Sequence, residues 1–229
     1  TGTTLALTRG LMVSEEIRDD RQISDARLGT KQTGGDIMGE LTYGTYDEFL
    51  EAVLGGTWAA KFSPFVATTI SAAASDNSIN DSGAGFPAWE VGDKVTISGF
   101  TGTAGNNQSG VVVSRTASKV VLTTAVPFVD DAAGESVTVT SNTQKLLAGT
   151  TRRSFSMLRD FSDMVTAGEK RYHLYVGQEL NTLNLTMGVE ALVGIVFGIL
   201  GQSQSAPSDT APAGSTYVAA NTNKVFDTF

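Results

Sequence analysis

Histidine occurs once in the 229 residues, as His173, and cysteine does not occur at all. Multi-histidine metal sites, Cys–His pairs and thiolate zinc sites therefore cannot be built within one chain. A Ser–His–Asp set could be drawn from the abundant Ser and Asp, but no nucleophile-elbow sequence supports one. In KRYHLYVG (170–177), His173 reads as a strand residue beside Tyr172 and Tyr175. Paired carboxylates could hydrolyse a glycosidic bond, yet nothing in the sequence places two at the required separation. Gly34, Gly35, Gly39 and Gly44 are not followed by the Gly-Lys-Ser/Thr of a phosphate loop. Asp76, Asn77, Asn80 and Asp81 offer oxygen ligands without the EF-hand spacing, so they read as a polar turn. No catalytic residue, metal ligand or cofactor is expected.

The charge balance narrows the partners. Acids outnumber bases 24 to 16, for a net charge of −8, and no basic cluster exceeds Arg152-Arg153. A protein that grips phosphates concentrates Lys and Arg, because its affinity comes from counterion release. Acidity here reads first as a source of solubility, and second as a surface that nucleic acid could pass without sticking. The first ten residues, TGTTLALTRG, lack the layout of a secretory signal. The longest apolar run, Val189 to Leu200, is broken by Glu190, Gly194 and Gly198 and falls short of the roughly 20 residues that a spanning helix needs. No membrane insertion is expected.

The elements that would position any site are mostly strands. Twenty-five glycines and a mean hydropathy near zero, with many Ser, Thr and Val, predict a turn-rich, mainly β chain. The exception is a short helix after the strand-like DIMGE (36–40). Thr45 and Glu48 have the spacing of a capping box. Tyr46, Phe49, Leu50, Val53 and Leu54 then fall on one helical face, and Gly55-Gly56 supply the stop. A lone amphipathic helix needs a sheet to cover. Pro64 confines any strand near it to an edge or a break.

Residues 76–142 read as a small inserted β-barrel or sandwich within a discontinuous core formed by 1–75 and 143–229. Strands are expected at Lys94–Ile97, Gly110–Ser114, Lys119–Thr124 and Ser136–Thr140, separated by turn-formers. Phe86, Trp89, Phe100 and Phe128 are its candidate core aromatics, sugar binding being the alternative. Its seven acids and three bases do not suit a nucleic-acid reader. Further on, Phe155 and Met157 alternate with polar neighbours. Met187 to Leu200 reads as one long strand whose odd face is apolar and whose even face carries three glycines that admit a close neighbour. GQSQSAPSDTAPAGST, from Gly201, reads as a linker. The terminal Val225, Phe226 and Phe229 call for burial, on the core or in a strand continued beyond the sequence.

The charged segment before residue 33 leaves two readings open. Glu15, Glu16, Arg18, Asp19, Asp20, Arg21, Arg27 and Lys31 alternate in sign without a heptad, which suits either a solvated loop or an arm that contacts another copy.

Four blocks carry a resemblance: SEEIRDDRQISDARLG (14–29), GGDIMGELTYGTYDEFLEAVLGGTW (34–58), RSFSMLRDFSD (153–163) and GQELNTLNL (177–185). In order and spacing they resemble the tail tube protein family of long-tailed, non-contractile bacteriophages. The resemblance implies a β-barrel or sandwich core with one flanking helix. It also implies six copies closing a ring, rings stacked into a tube that conducts the genome, and a virion protein assembled in the host cytoplasm. Tape measure and tail terminator or tip proteins are the implied partners, and DNA would pass through the lumen without specific binding. On this reading the eight charged residues are inter-ring contacts, and the 76–142 insertion decorates the exterior. A β-sandwich surface-binding module, a carboxylate-pair hydrolase and the inner tube of a contractile tail are the alternatives.

Overall fold

A computed structural model describes residues 2–14, 26–164, 166, 168–216 and 219–227. Three strands come first: β1 (Gly2–Thr3), β2 (Ala6–Val13) and the long β3 (Ala26–Glu40). The helix α1 (Asp47–Leu54) follows. Next come β4 (Ala59–Ala60), β5 (Phe65–Ala67), β6 (Ile70–Ala73) and β7 (Ser78–Asp81). They are followed by β8 (Lys94–Ser98), β9 (Ser109–Arg115), β10 (Lys119–Thr124), β11 (Val137–Ser141) and β12 (Gln144–Lys145). The chain returns with β13 (Phe155–Asp160), β14 (Tyr172–Thr186) and β15 (Gly194–Gln204). The protein is mainly β with one helix, as the composition predicts.

Contacts divide it into two compact units, 1–56 with 148–229, and 57–147. These bounds lie outside those of the 76–142 segment, because β5 pairs with β11 and β6 with β7. Runs as short as FVA and ISAA carry too little periodicity to reveal such long-range partners.

In the first unit all neighbours are antiparallel, in the order β1-β3-β15-β14-β13, with β2 also on β3. Val193, Ile195, Phe197 and Ile199 are buried in alternation, so the apolar face of β15 is the one the sequence shows. Its extent differs. Residues 187–193 form a turn in which Val189 is 94% exposed and Glu190 has φ 53°, and the strand runs on to Gln204 through the expected linker. The polar GQSQ is retained because Gly201 leaves room for Gln178. That side chain is fully buried and donates to Thr33 Oγ1 (2.8 Å) and to the Val176 carbonyl (2.9 Å). Any Cβ at 201 would collide with it. The N-terminal residues are also more ordered than a solvated loop, since β2 pairs along β3 from Ala6↔Gly34 to Val13↔Ala26.

The helix lies where it was expected, but the capping box does not form. Asp47 is the first helical residue and Tyr46 holds the N-cap position, with no side-chain cap. The Thr45 hydroxyl instead accepts from Asn221 Nδ2 at 2.9 Å. Aromatic packing fixes this register. Tyr46 lies 5.6 Å from the Phe197 ring, and Phe49 sits 5.3 Å from both Phe155 and Phe197. The stop is as read: Gly55 takes φ 63°, and a Cβ there would meet the Gly149 carbonyl at 2.8 Å. The helix face is half-buried, with Leu54 39% exposed.

The second unit is a seven-stranded antiparallel sheet in the order β5-β11-β8-β9-β10-β7-β6. Its two end strands, β5 and β6, are separated in sequence only by Thr68 and Thr69, so the sheet curls into a nearly closed barrel. The Ala72–Asp131 bridge (3.0 Å both ways) and the bond from Gly134 N to the Thr68 carbonyl (2.9 Å) tie the seam. Four of its strands match the expected ones to within a residue. Phe86, Trp89, Phe100 and Phe128 are all at most 3% exposed and pack with ten aliphatic side chains. They are core residues, which removes the case for sugar-binding aromatics. β4 and β12 form a separate ribbon.

Candidate assembly interface

The first unit leaves several surfaces open among the described residues. Beyond Thr33↔Gly201, the last pairing with β15, β3 is held only by β2. The two strands leave the sheet as an arm. It carries apolar side chains in the open: Leu11 (63%), Met12, Val13 and Leu28 (59%), with Leu11 directly opposite Leu28. A small hollow at its end is lined by Met12, Val13, Ser14 and Arg27. Of the eight charged candidates, Glu15, Glu16, Arg18, Asp19, Asp20 and Arg21 lie outside the described residues. Arg27 and Lys31 stand on the arm, both exposed.

At the other end of β3, Glu40 pairs with Gly194 at the foot of the 187–193 turn. The C-terminal segment closes this end. Val225 bridges Thr42, Asp227 bridges Leu192, and Phe226 exchanges main-chain bonds with Leu41 and Val193 (2.9 Å each). Asn221 and Asn223 both donate to the Tyr43 carbonyl (2.8 and 2.9 Å). The terminal Val225 and Phe226 thus dock, as their types require, although Phe226 stays 46% exposed; Phe229 lies outside the described residues.

The lateral edges are also open. β13 has one neighbour, β14, and on the far side β1 and β2 pair only with β3. An open hollow of about 520 Å³ is lined by residues from both edges, including Leu5, Ile37, Met157 and Tyr175, with Tyr46 and Phe49 from the helix. Burial and the nearby Glu40 carboxylate raise the Tyr46 hydroxyl above the usual phenol range, so it is neutral at physiological pH. Unpaired strand edges with apolar flanks are templates for pairing with another chain.

The block RSFSMLRDFSD is positioned by ion pairs through its Arg153 and Asp160. Arg153 donates to the Glu51 carbonyl (3.1 Å) and the Gly56 carbonyl and pairs with the Glu51 carboxylate at 3.1 Å. That places a cation at the helix C-terminus, where it is favourable. Arg171 pairs with Asp160 through two bonds. His173 is held by Gln204 Nε2 at Nδ1 (2.8 Å) and by the Lys170 carbonyl at Nε2 (3.1 Å), with its ring edge on Phe161. In the second unit, Asp76 pairs with Lys119, Asn77 bonds Leu122, Thr124 and Phe128, and Asp81 accepts from Thr69, Gly83 and Gly85. Asn80 donates to Ser78 Oγ at 3.1 Å, and both Asn80 and Asp81 belong to strand β7; no group of three or more potential metal ligands occurs among the described residues.

Open edges and an apolar arm are surfaces of the kind that a neighbouring chain covers. A family model for phage tail tube proteins matches residues 1–229. The chain belongs to that family. No curated protein matches it. A phage tail tube protein is a structural component of the virion and not an enzyme. No helix among the described residues is long and apolar enough to cross a membrane. Gln178 beside Gly201 and the pairing of β2 along β3 are the features that sequence reading missed. A glycine facing a polar residue on the neighbouring strand leaves no local signal, whereas Leu11-Met12-Val13 and Leu28 flanking a charged segment could have marked a hairpin.

Proposed function

We propose that six copies close into a ring through the open edges of the first unit, and that rings stack into the tail tube through which the genome is ejected. The observation that carries this reading is the pair of unfilled edges, β13 on one side and β1/β2 on the other. A contact between two different edges is heterologous, and a heterologous contact that closes by rotation gives a ring. The β2–β3 arm, with Arg27, Lys31 and the charged residues 15–25, then serves contacts between rings. The surplus of acids supports a lumen wall that repels DNA phosphates, so that the genome slides without specific binding. The main sheet of the second unit nearly closes on itself, which supports a place on the tube exterior. Tape measure and tail terminator or tip proteins are the partners the family membership suggests, with assembly in the host cytoplasm.

Negative-stain electron microscopy of the purified protein at high concentration tests this reading. Hollow rings or stacked tubes are expected. Compact particles that never associate at any concentration would overturn it and favour a surface-binding module.

A further inference from the structure

The end of helix α1 is completed by chain that returns only after the second unit. The helix has eight residues, and isolated helices shorter than about 12–15 residues are marginal in water. Carbonyls in its last turn have no partner within the helix. Here the Leu54 carbonyl accepts from Gly149 N (2.9 Å), the Gly55 carbonyl accepts from Thr151 N (2.9 Å), and the Gly56 carbonyl accepts from the Arg153 guanidinium. At Gly55 and Gly149 the two chains cross so closely that a Cβ on either would strike the other's carbonyl. Residues 149–153 therefore hold the end of a helix from which they are separated by the whole of 57–147.

The second unit brings its own two ends together. Ala59 and Ala60 pair with Lys145 and Gln144, and Lys61 N donates to the Thr143 carbonyl at 2.8 Å. Between these ends the segment builds a barrel around a core of its own.

We propose that the folded second unit is a clamp for helix α1: by holding 57–61 beside 143–147, it delivers 149–153 to the end of the helix. Chain connectivity alone does this. With 57–147 disordered, residues 56 and 148 must meet across about ninety free residues. Closure falls as about the 3/2 power of loop length, so this is roughly thirty-fold less favourable than across about ten, the length left when the ribbon is paired. The helix passes the effect on. Phe49 sits 5.3 Å from both Phe155 and Phe197, so loss of α1 uncovers the start of β13 and the middle of β15. On the ring reading, on which this one consequence rests, a copy whose second unit has not folded presents a loosened β13 edge and is left out of the ring.

Hydrogen exchange of the full-length chain, read by mass spectrometry, tests the clamp. Val120 has no exposure in the barrel core, and Val120→Asp unfolds the second unit by burying an unpaired charge. Segments 47–56 and 148–153, which carry no substitution, should then exchange about thirty-fold faster than in the unaltered chain. Protection equal to that of the unaltered chain would overturn the clamp.

A disulfide supplies a closure that does not need the barrel. The chain has no cysteine, and Ala60 lies directly opposite Gln144, the kind of spacing a disulfide spans. In the Val120→Asp background, oxidised Ala60→Cys/Gln144→Cys should return protection to 47–56 and 148–153 while the barrel stays unprotected, and reduction should remove it. Protection that stays low with the bridge closed would overturn the proposal, because contacts rather than chain closure would then hold the helix. The same pair in the otherwise unaltered chain gives a second reading on heating, without a core substitution. The helix should outlast the barrel when the bridge is oxidised and be lost with it when reduced; loss at one temperature in both states would overturn the clamp. Exchange is read on single chains, so failure to form rings would overturn the ring reading and leave the clamp in place.

Discussion

The two units divide the work of burial very unequally. The second unit, the smaller in residues, buries fourteen hydrophobic side chains in one cluster, and its sheet nearly closes on itself. The larger first unit buries six among the described residues, Leu5, Tyr175, Val193, Ile195, Phe197 and Ile199. It leaves strand edges, an apolar arm and an apolar turn exposed. A sheet that closes satisfies its own main-chain groups, while a sheet with open edges passes that requirement to a neighbour. The contrast therefore separates a unit that is complete in one copy from a unit that is completed by others.

The largest test of that contrast is to separate the units. A fragment of residues 57–147 should fold alone, with a cooperative thermal transition and a dispersed amide spectrum. The first unit, with 56 joined to 148 by a short linker, should instead self-associate as its concentration rises. A first unit that stayed monomeric and cooperative throughout would break the comparison, because its open edges would then need no neighbour.

Point substitutions in the two cores sharpen it. Phe100 in the barrel and Phe197 under the helix are the two largest side chains with essentially no exposure. Truncation of either to alanine should cost about 3–5 kcal/mol of unfolding free energy in its own unit. Their consequences for assembly should diverge. Phe197→Ala removes the ring that holds both Tyr46 and Phe49, loosens the helix and should abolish rings or tubes. Phe100→Ala should lower the melting temperature of the barrel and leave assembly intact at low temperature. Denaturant unfolding of each variant, paired with electron microscopy, reads both outcomes.

A smaller effect comes from a charge that the barrel keeps inside. Asp81 is 2% exposed and accepts hydrogen bonds from Thr69 Oγ1, from Gly83 N at 3.0 Å and from Gly85 N at 2.7 Å. Burial pushes its carboxyl upward, but these three donors outweigh it and hold the group below its ordinary value of 3.8. With the folded value depressed, the stabilisation is complete above about pH 4 and is lost as pH falls through the folded value. Asp81→Asn keeps the shape but not the charge, and should cost about 2 kcal/mol at pH 7, the worth of hydrogen bonds to a charged group. The gap between the two proteins should narrow at pH 3, as urea midpoints at the two pH values will show. An equal gap at both would mean that the ionised form is not the one the turn requires.

Local signals were legible and long-range ones were not, for identifiable reasons. The β10 run KVVLTT and the buried odd face from Val193 onward are visible because β-branched or alternating residues report their own environment. The helix stop at Gly55 is visible because a left-handed residue is a local demand. The placing of Gln178 under Gly201, the pairing of β5 with β11 and the docking of Val225 beside Thr42 depend on partners far along the chain. The arm illustrates the same limit. Its charges drew attention as candidate contacts, yet the strand pairing that makes it an arm runs through Thr8↔Gln32 and Leu11↔Leu28, where neither strand alternates cleanly.

The smallest expected effect bears on a local signal that misled. Thr45 and Glu48 have capping-box spacing, and loss of a working cap costs about 1 kcal/mol. Here the helix begins one residue later, because Tyr46 is drawn onto Phe197 and its carbonyl already accepts the first helical bond, from Leu50 N at 2.8 Å. The Thr45 hydroxyl faces only Asn221, on the exposed surface. Thr45→Ala should therefore change stability by less than about 0.5 kcal/mol, the range of surface substitutions away from special features. Asn221→Ala should cost more, since it also removes the bonds to the Tyr43 carbonyl and from Asn223 N (2.8 Å each). A loss of 1 kcal/mol or more at Thr45 alone would show that the box forms in solution. Tyr46 would then leave Phe197, and the half-buried face of the helix would belong to a neighbouring copy instead of its own sheet.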